Sequence, residues 1–152
     1  MNKIMKNIEK TLSDIGFAKR YILLCNKFSD FNNGKNFTKK DIIGIFNKDA
    51  FNMEFNSKES LFFKNYVVGN LMIRFLFGYK YGFIDCRYWI LEYNETLLNG
   101  SFREIALMED KEFNEKVAYR FPIATSLSDL KDILDSIFNL NDDFISKIFD
   151  DK

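Results

Sequence analysis

Residues 60–93, SLFFKNYVVGNLMIRFLFGYKYGFIDCRYWILEY, are the stretch whose reading decides the fold. β-Branched and aromatic residues dominate it, the types that pack well on a pleated surface. Gly69 and Asn70 separate two such runs by the two-residue spacing of a tight hairpin, and YKYG at 79–82 marks a second reversal. Strands joined in series this way make an antiparallel meander, which keeps one face in water.

Alternation along the strands sorts the side chains. Phe83, Asp85, Arg87, Trp89, Leu91 and Tyr93 share one face, and Ile84, Cys86, Tyr88, Ile90 and Glu92 share the other. One strand earlier, Leu71, Ile73, Phe75 and Phe77 oppose Met72, Arg74 and Leu76. The apolar sets belong to the core. Arg74, Asp85 and Arg87 then point outward, where they are expected to meet across strands as an ion-pair ladder. Exposed pairs contribute only about 0–1 kcal/mol each, so such charges do little for the fold. Arginine and large aromatics supply most hot-spot energy in protein interfaces. Arg74, Asp85, Arg87, Trp89 and Tyr93 are therefore the first candidate partner-binding patch.

Outward from this stretch, FNMEF at 51–55 alternates, though weakly. NETLLNG at 94–100 reads as a loop and SFREIALME at 101–109 as a further strand. The sheet is thus expected to have four to five strands over roughly 51–108. Upstream, Ile4, Ile8, Leu12, Ile15, Ile22 and Cys25 recur at helical spacing. Gly16 either sits inside one long helix, at a cost of about 1 kcal/mol, or divides two helices. Thr38 and Asp41 have the spacing of a capping box. Downstream, a short helix falls in DKEFNEKVAYR. Pro122 then keeps Phe121 extended, and Ser126 caps a helix carrying Leu130, Ile133, Leu134, Ile137 and Phe138. One or two closing turns carry Phe144, Ile145, Ile148 and Phe149. The order helices, sheet, helices predicts an α+β fold with N-terminal and C-terminal helices over one sheet face.

With one proline and seven glycines in 152 residues there is no linker composition, so residues 1–152 read as a single globular domain. The 18 phenylalanines, with abundant Asn, Ile and Lys, fit an AT-rich bacterial or phage genome. Basic and acidic residues balance at 22 each, which excludes a global field for nucleic acid or membrane. Their distribution is uneven: residues 1–50 carry a net +5 and residues 125–152 a net −4. Asp142, Asp143, Asp150 and Asp151 make the acidic C-terminal region a second candidate partner-binding site, suited to a basic partner such as a nuclease. Lys3, Lys6 and Lys10 form a solvated helix face.

The chain has no histidine, which removes Ser-His-Asp and Cys-His catalysis and imidazole metal sites. Cys25 and Cys86 stand alone and read as reduced, buried thiols of a cytoplasmic protein. No glycine-rich phosphate loop or calcium-loop spacing occurs. The carboxylates Asp85, Glu92 and Glu104 are read as solubilising rather than catalytic. No cofactor, metal or enzymatic activity is expected. The expectation is a stoichiometric protein-binding inhibitor of the immunity type, neutralising a toxin or host-defence effector. The alternative is a small-molecule binding domain, or behind that a His-free enzyme, with a pocket between the sheet and the helices.

Overall fold

The computed structural model describes residues 2–46 and 52–150, so the expectations at Phe51 and Asp151 lie outside the described residues. Five strands, β1 (Glu54–Asn56), β2 (Leu61–Val68), β3 (Leu71–Gly78), β4 (Asp85–Glu92) and β5 (Glu95–Ser101), pair antiparallel in chain order. Gly69 has φ 59 at the first position of the β2–β3 turn, and Val68 pairs directly with Leu71. Around the sheet lie α1 (Lys3–Asp14), α2 (Phe17–Lys27), α3 (Lys39–Gly44), α4 (Phe102–Glu109), α5 (Phe113–Lys116) and α6 (Leu127–Asp150). No helix among the described residues is long and apolar enough to cross a membrane.

Gly16 divides the N-terminal helices. It lies at φ 66, ψ 41, a left-handed conformation that costs an L side chain about 1–2 kcal/mol. Thr38 and Asp41 form the capping box that their spacing predicts: the Thr38 N–H donates to Asp41 Oδ2 at 2.8 Å and the Asp41 N–H to Thr38 Oγ1 at 3.2 Å.

Three expectations are corrected downstream of the third strand. Residues 95–101 are a strand, not a loop, because Tyr93 (φ 52) and Asn94 (φ 63) make a two-residue turn with both residues left-handed. Residues 102–109 are a helix, not a strand. The Ser101 side chain accepts from the Glu104 N–H at 3.2 Å, while Glu104 accepts from the Ser101 N–H at 3.1 Å. Phe102, Ile105 and Ala106 are buried at helical spacing behind that cap. The C-terminal region is also one continuous helix of 24 residues rather than a helix and separate closing turns. Leu140, Asn141, Phe144, Ile145 and Ile148 extend the buried stripe of Leu130 to Ile137 without a break.

Helices cover the face made by Leu71, Ile73, Phe75, Phe77, Ile84, Cys86, Tyr88 and Ile90, all fully buried. Phe102 sits at the centre of this layer. Its ring lies 5.0 Å from Phe17, 5.7 Å from Tyr21, 6.0 Å from Phe75 and 5.0 Å from Tyr88. From α6, Phe138 meets Phe75 and Phe77 while Phe144 meets Tyr88. Burial of each such ring contributes about 1.5–3 kcal/mol.

An extended segment at 122–124 ties the two ends of the chain to the sheet. The Ile123 N–H donates to Phe28 O at 2.9 Å and the Lys35 N–H to Ala124 O at 3.0 Å. On the other side the Ala124 N–H donates to Gly82 O at 2.8 Å and the Ile84 N–H to Pro122 O at 3.0 Å. Gly82 is required there: its φ is 80, and a Cβ would lie 2.5 Å from Ala124 O and 2.8 Å from Lys35 N.

Candidate functional site

The face of the sheet opposite the helices carries the outward residues of β2, β3 and β4. Arg74 lies at its centre, paired in register with Asn65 on one side and Trp89 on the other. Its Nε donates to Asn65 Oδ1 at 2.7 Å, and its guanidinium lies 4.9 Å from the Phe63 ring centre and 5.5 Å from that of Trp89. The Trp89 indole N–H donates to Thr96 Oγ1 at 2.9 Å. Met72, Leu76 and Leu91, each half-buried, surround this stack, and Val67 is 65% exposed. Hydrogen bonds hold both Arg74 and Trp89, so little side-chain freedom remains in this stack.

The expected ion-pair ladder is not formed. Arg74 stands opposite Trp89, Arg87 opposite Leu76 and Asp85 opposite Gly78. Arg74 and Asp85 are thus two same-face steps apart, about 13 Å along the strand. Alternation places the charges on one face, but register decides which of them meet. Tyr93 also leaves the expected arrangement: it is a turn residue beyond the end of β4 and 70% exposed at the hairpin tip.

At the other end of β4, Asp85 and Arg87 open onto a cleft of about 200 Å³ shared with Ser101, Arg103, Glu104, Arg120 and Phe121. Arg87 donates to Asn99 Oδ1 at 3.0 Å and lies 3.8 Å from Glu104 Oε1. Desolvation pushes the Asp85 carboxyl above its ordinary value, and the positive charges of Arg87 and Arg120 oppose the rise. Asp85 is still exposed by area, so this desolvation comes from the density of protein around the cleft and not from enclosure. The Glu104 carboxyl is held below its ordinary value, first by its capping hydrogen bonds to Ser101, with Arg87 and Arg103 adding to them. Arg103 and Arg120 were not singled out from the sequence; the capping signature at 101–104 carries the information that Arg103 belongs beside Glu104. Glu92 lies away from these groups, at the opposite end of β4, accepting from Asn2 at 3.2 Å.

The acidic residues of α6 lie on the other side of the sheet. Asp143 pairs with Arg20 at 2.8 Å, and Asp150 is the last residue of α6. Asp142 faces a cavity of about 130 Å³ between β2, β3 and α6, lined also by Lys64, Tyr66, Phe75, Phe138 and Asn141. No three His, Cys, Asp or Glu side chains among the described residues are grouped so as to hold a metal ion. Compared with protein-family models, curated proteins and solved structures, the chain matches none.

Proposed function

We propose that the chain is a stoichiometric protein-binding inhibitor of the immunity type, which neutralises a toxin or host-defence effector by docking the open face of its sheet. The observation that supports this reading is the Phe63–Arg74–Trp89 stack, held by hydrogen bonds on a face opposite the helices. Arginine, tryptophan and methionine are enriched at interface cores, and a shallow apolar face suits a protein surface better than a small molecule. The strand charges on this face are Glu54, Arg74, Asp85 and Arg87, so the complementary target surface is apolar where it meets the stack, with carboxylates opposite the arginines. A basic target such as a nuclease would instead meet the acidic residues of α6.

The test is capture of the target from native cells with the tagged chain, followed by reconstitution of the purified pair. Binding in one-to-one ratio, inhibition of the target, and loss of both in Trp89→Ala with unchanged circular dichroism are expected. Full binding by a folded Arg74→Ala/Trp89→Ala variant would remove the sheet face from contention. A small-molecule role is a separate reading, and one observation favours it: the cavity beside Asn141.

A further inference from the structure

That cavity lies on the covered side of the sheet, away from the proposed docking face. Asn141, in the middle of α6, is only 2% exposed. A buried amide is costly unless its hydrogen bonds are made. Asn141 accepts from the Tyr88 hydroxyl at 2.7 Å and donates to the Tyr66 hydroxyl at 2.9 Å. The Tyr88 proton is thereby used. The Tyr66 hydroxyl accepts, and its own proton meets no acceptor among the described residues, so it remains a donor at the cavity.

Lys64 on β2 and Asp142 on α6 line the same space from opposite walls. They attract one another, yet among the described residues neither closes an ion pair, whereas Asp143 next to it closes on Arg20 at 2.8 Å. The Lys64 ammonium lies 5.2 Å from the Tyr66 ring centre and Asp142 is exposed at the cavity mouth, so both charges can reach a third group there. Phe75, Phe138 and Met53 complete the lining with apolar surface. A dry cavity of about 150 Å³ holds a benzene molecule, so the 130 Å³ here suits a ligand of roughly six to eight non-hydrogen atoms.

We propose that this cavity binds a free α-amino acid with a short apolar side chain. Its carboxylate sits on the Lys64 ammonium and the Tyr66 hydroxyl, its ammonium on Asp142, and its side chain against Phe75, Phe138 and Met53. The zwitterion satisfies both unpaired charges at once, which a simple acid or a simple amine cannot do. Partial desolvation raises the Asp142 carboxyl above its ordinary value, with Lys64 opposing and Asp143 adding. The proposal rests on the small-molecule reading and is independent of the docking face.

The experiment titrates the full chain with alanine, valine and leucine, and in parallel with isobutylamine and isovalerate, which each lack one charge. Amide NMR spectra and calorimetry provide the readout. Saturable shifts at Tyr66 and around Asn141 are expected for at least one amino acid, with affinity ten-fold or more above either single-charge analogue. Lys64→Gln and Asp142→Asn should each weaken binding at least ten-fold while the unfolding midpoint without ligand stays put. Absence of saturation at about 10 mM, where a site with a Kd near 1 mM would be nine-tenths full, overturns the proposal. So do equal affinities for the single-charge analogues, or full binding by both variants. If no amino acid binds but a neutral molecule of similar size shifts the same amides, the zwitterion assignment falls and the small-molecule reading stands.

Discussion

Replacing Gly82 by alanine tests the account of how the chain ends are tied to the sheet. Two costs arise at this position. The left-handed backbone, φ 80, penalises any Cβ by about 1–2 kcal/mol. The added methyl would also lie 2.5 Å from Ala124 O, 2.8 Å from Lys35 N and 3.0 Å from Lys35 O, all backbone atoms. None of these is a flexible side-chain tip. Hydrogen bonds from Ala124 to Gly82 at 2.8 Å and from Lys35 to Ala124 at 3.0 Å oppose any retreat. Overpacking of this kind costs about 1–3 kcal/mol, and a weakened hydrogen bond about 1 kcal/mol more. The total is about 3–6 kcal/mol, a large share of the roughly 5–15 kcal/mol by which domains are stable. Gly16→Ala is the control, since Gly16 has a similar left-handed backbone, φ 66, with nothing within 4 Å of its Cβ position. It should lose only the conformational part, about 1–2 kcal/mol. Urea unfolding of the two variants gives the comparison. With a slope of about 2 kcal/mol per molar, the Gly82→Ala midpoint should lie about 1–2 M below that of Gly16→Ala. Midpoints within about 0.2 M of one another, at unchanged slope, would refute the close approach as the reason for glycine.

Other predictions follow from the packing. Asn141→Leu should cost about 1–3 kcal/mol, because the Tyr88 hydroxyl is left buried without an acceptor. Asn141→Leu combined with Tyr88→Phe should recover most of that loss in the same urea assay, and a strictly additive result would disprove the coupling. Phe102→Ala, which empties the centre of the aromatic layer, should cost about 3–5 kcal/mol, and a loss below about 1 kcal/mol would mean that the layer closes over the gap. Burial pushes the Cys25 thiol up to about 12 and raises the Cys86 thiol and the Tyr21 and Tyr88 phenols as well. The folded chain therefore holds these protons more tightly than the unfolded chain. The resulting stability is complete below about pH 8.5 and is lost as the pH rises towards 12. An unfolding midpoint that stays level into this alkaline range would contradict it. Both thiols should also resist alkylation at neutral pH until the chain unfolds.

The sequence made the centre of the sheet legible because its signals there are local. Period-two alternation separates Ile84, Cys86 and Tyr88 from Asp85, Arg87 and Trp89, and Gly69-Asn70 marks the hairpin without reference to anything distant. β5 was hidden because Tyr93 and Asn94 adopt their left-handed turn without glycine, so Thr96 to Gly100 resembled loop composition. The four apolar residues of 102–107 resembled a strand until the cap at Ser101 and Glu104 decided for a helix. The unity of α6 is a different case. Asn139, Asn141, Asp142 and Asp143 look like a break, and what keeps Asn141 inside the helix is a pair of tyrosine hydroxyls 53 and 75 residues earlier in the chain. At the candidate site, the face of Arg74 and Trp89 could be read from alternation. Their stacking, the pairing of Arg87 with Asn99 and Glu104, and the part played by Arg103 and Arg120 depend on cross-strand register and on α4.

The order of elements along the chain has a consequence for biosynthesis. Every strand pairs with its sequence neighbour, so the meander can assemble from short loop closures as soon as residues 54–101 have left the ribosome. Its inner face is then a sheet of aromatic rings, Phe75, Phe77 and Tyr88 among them, whose covering rings Phe138 and Phe144 belong to α6 and are translated only after the sheet is complete. At about 5–20 residues per second this interval lasts a few seconds, a period in which the nascent chain is prone to self-association. Chains halted before α6 should therefore be retained by holding chaperones, and release should coincide with the arrival of Phe138 to Ile148.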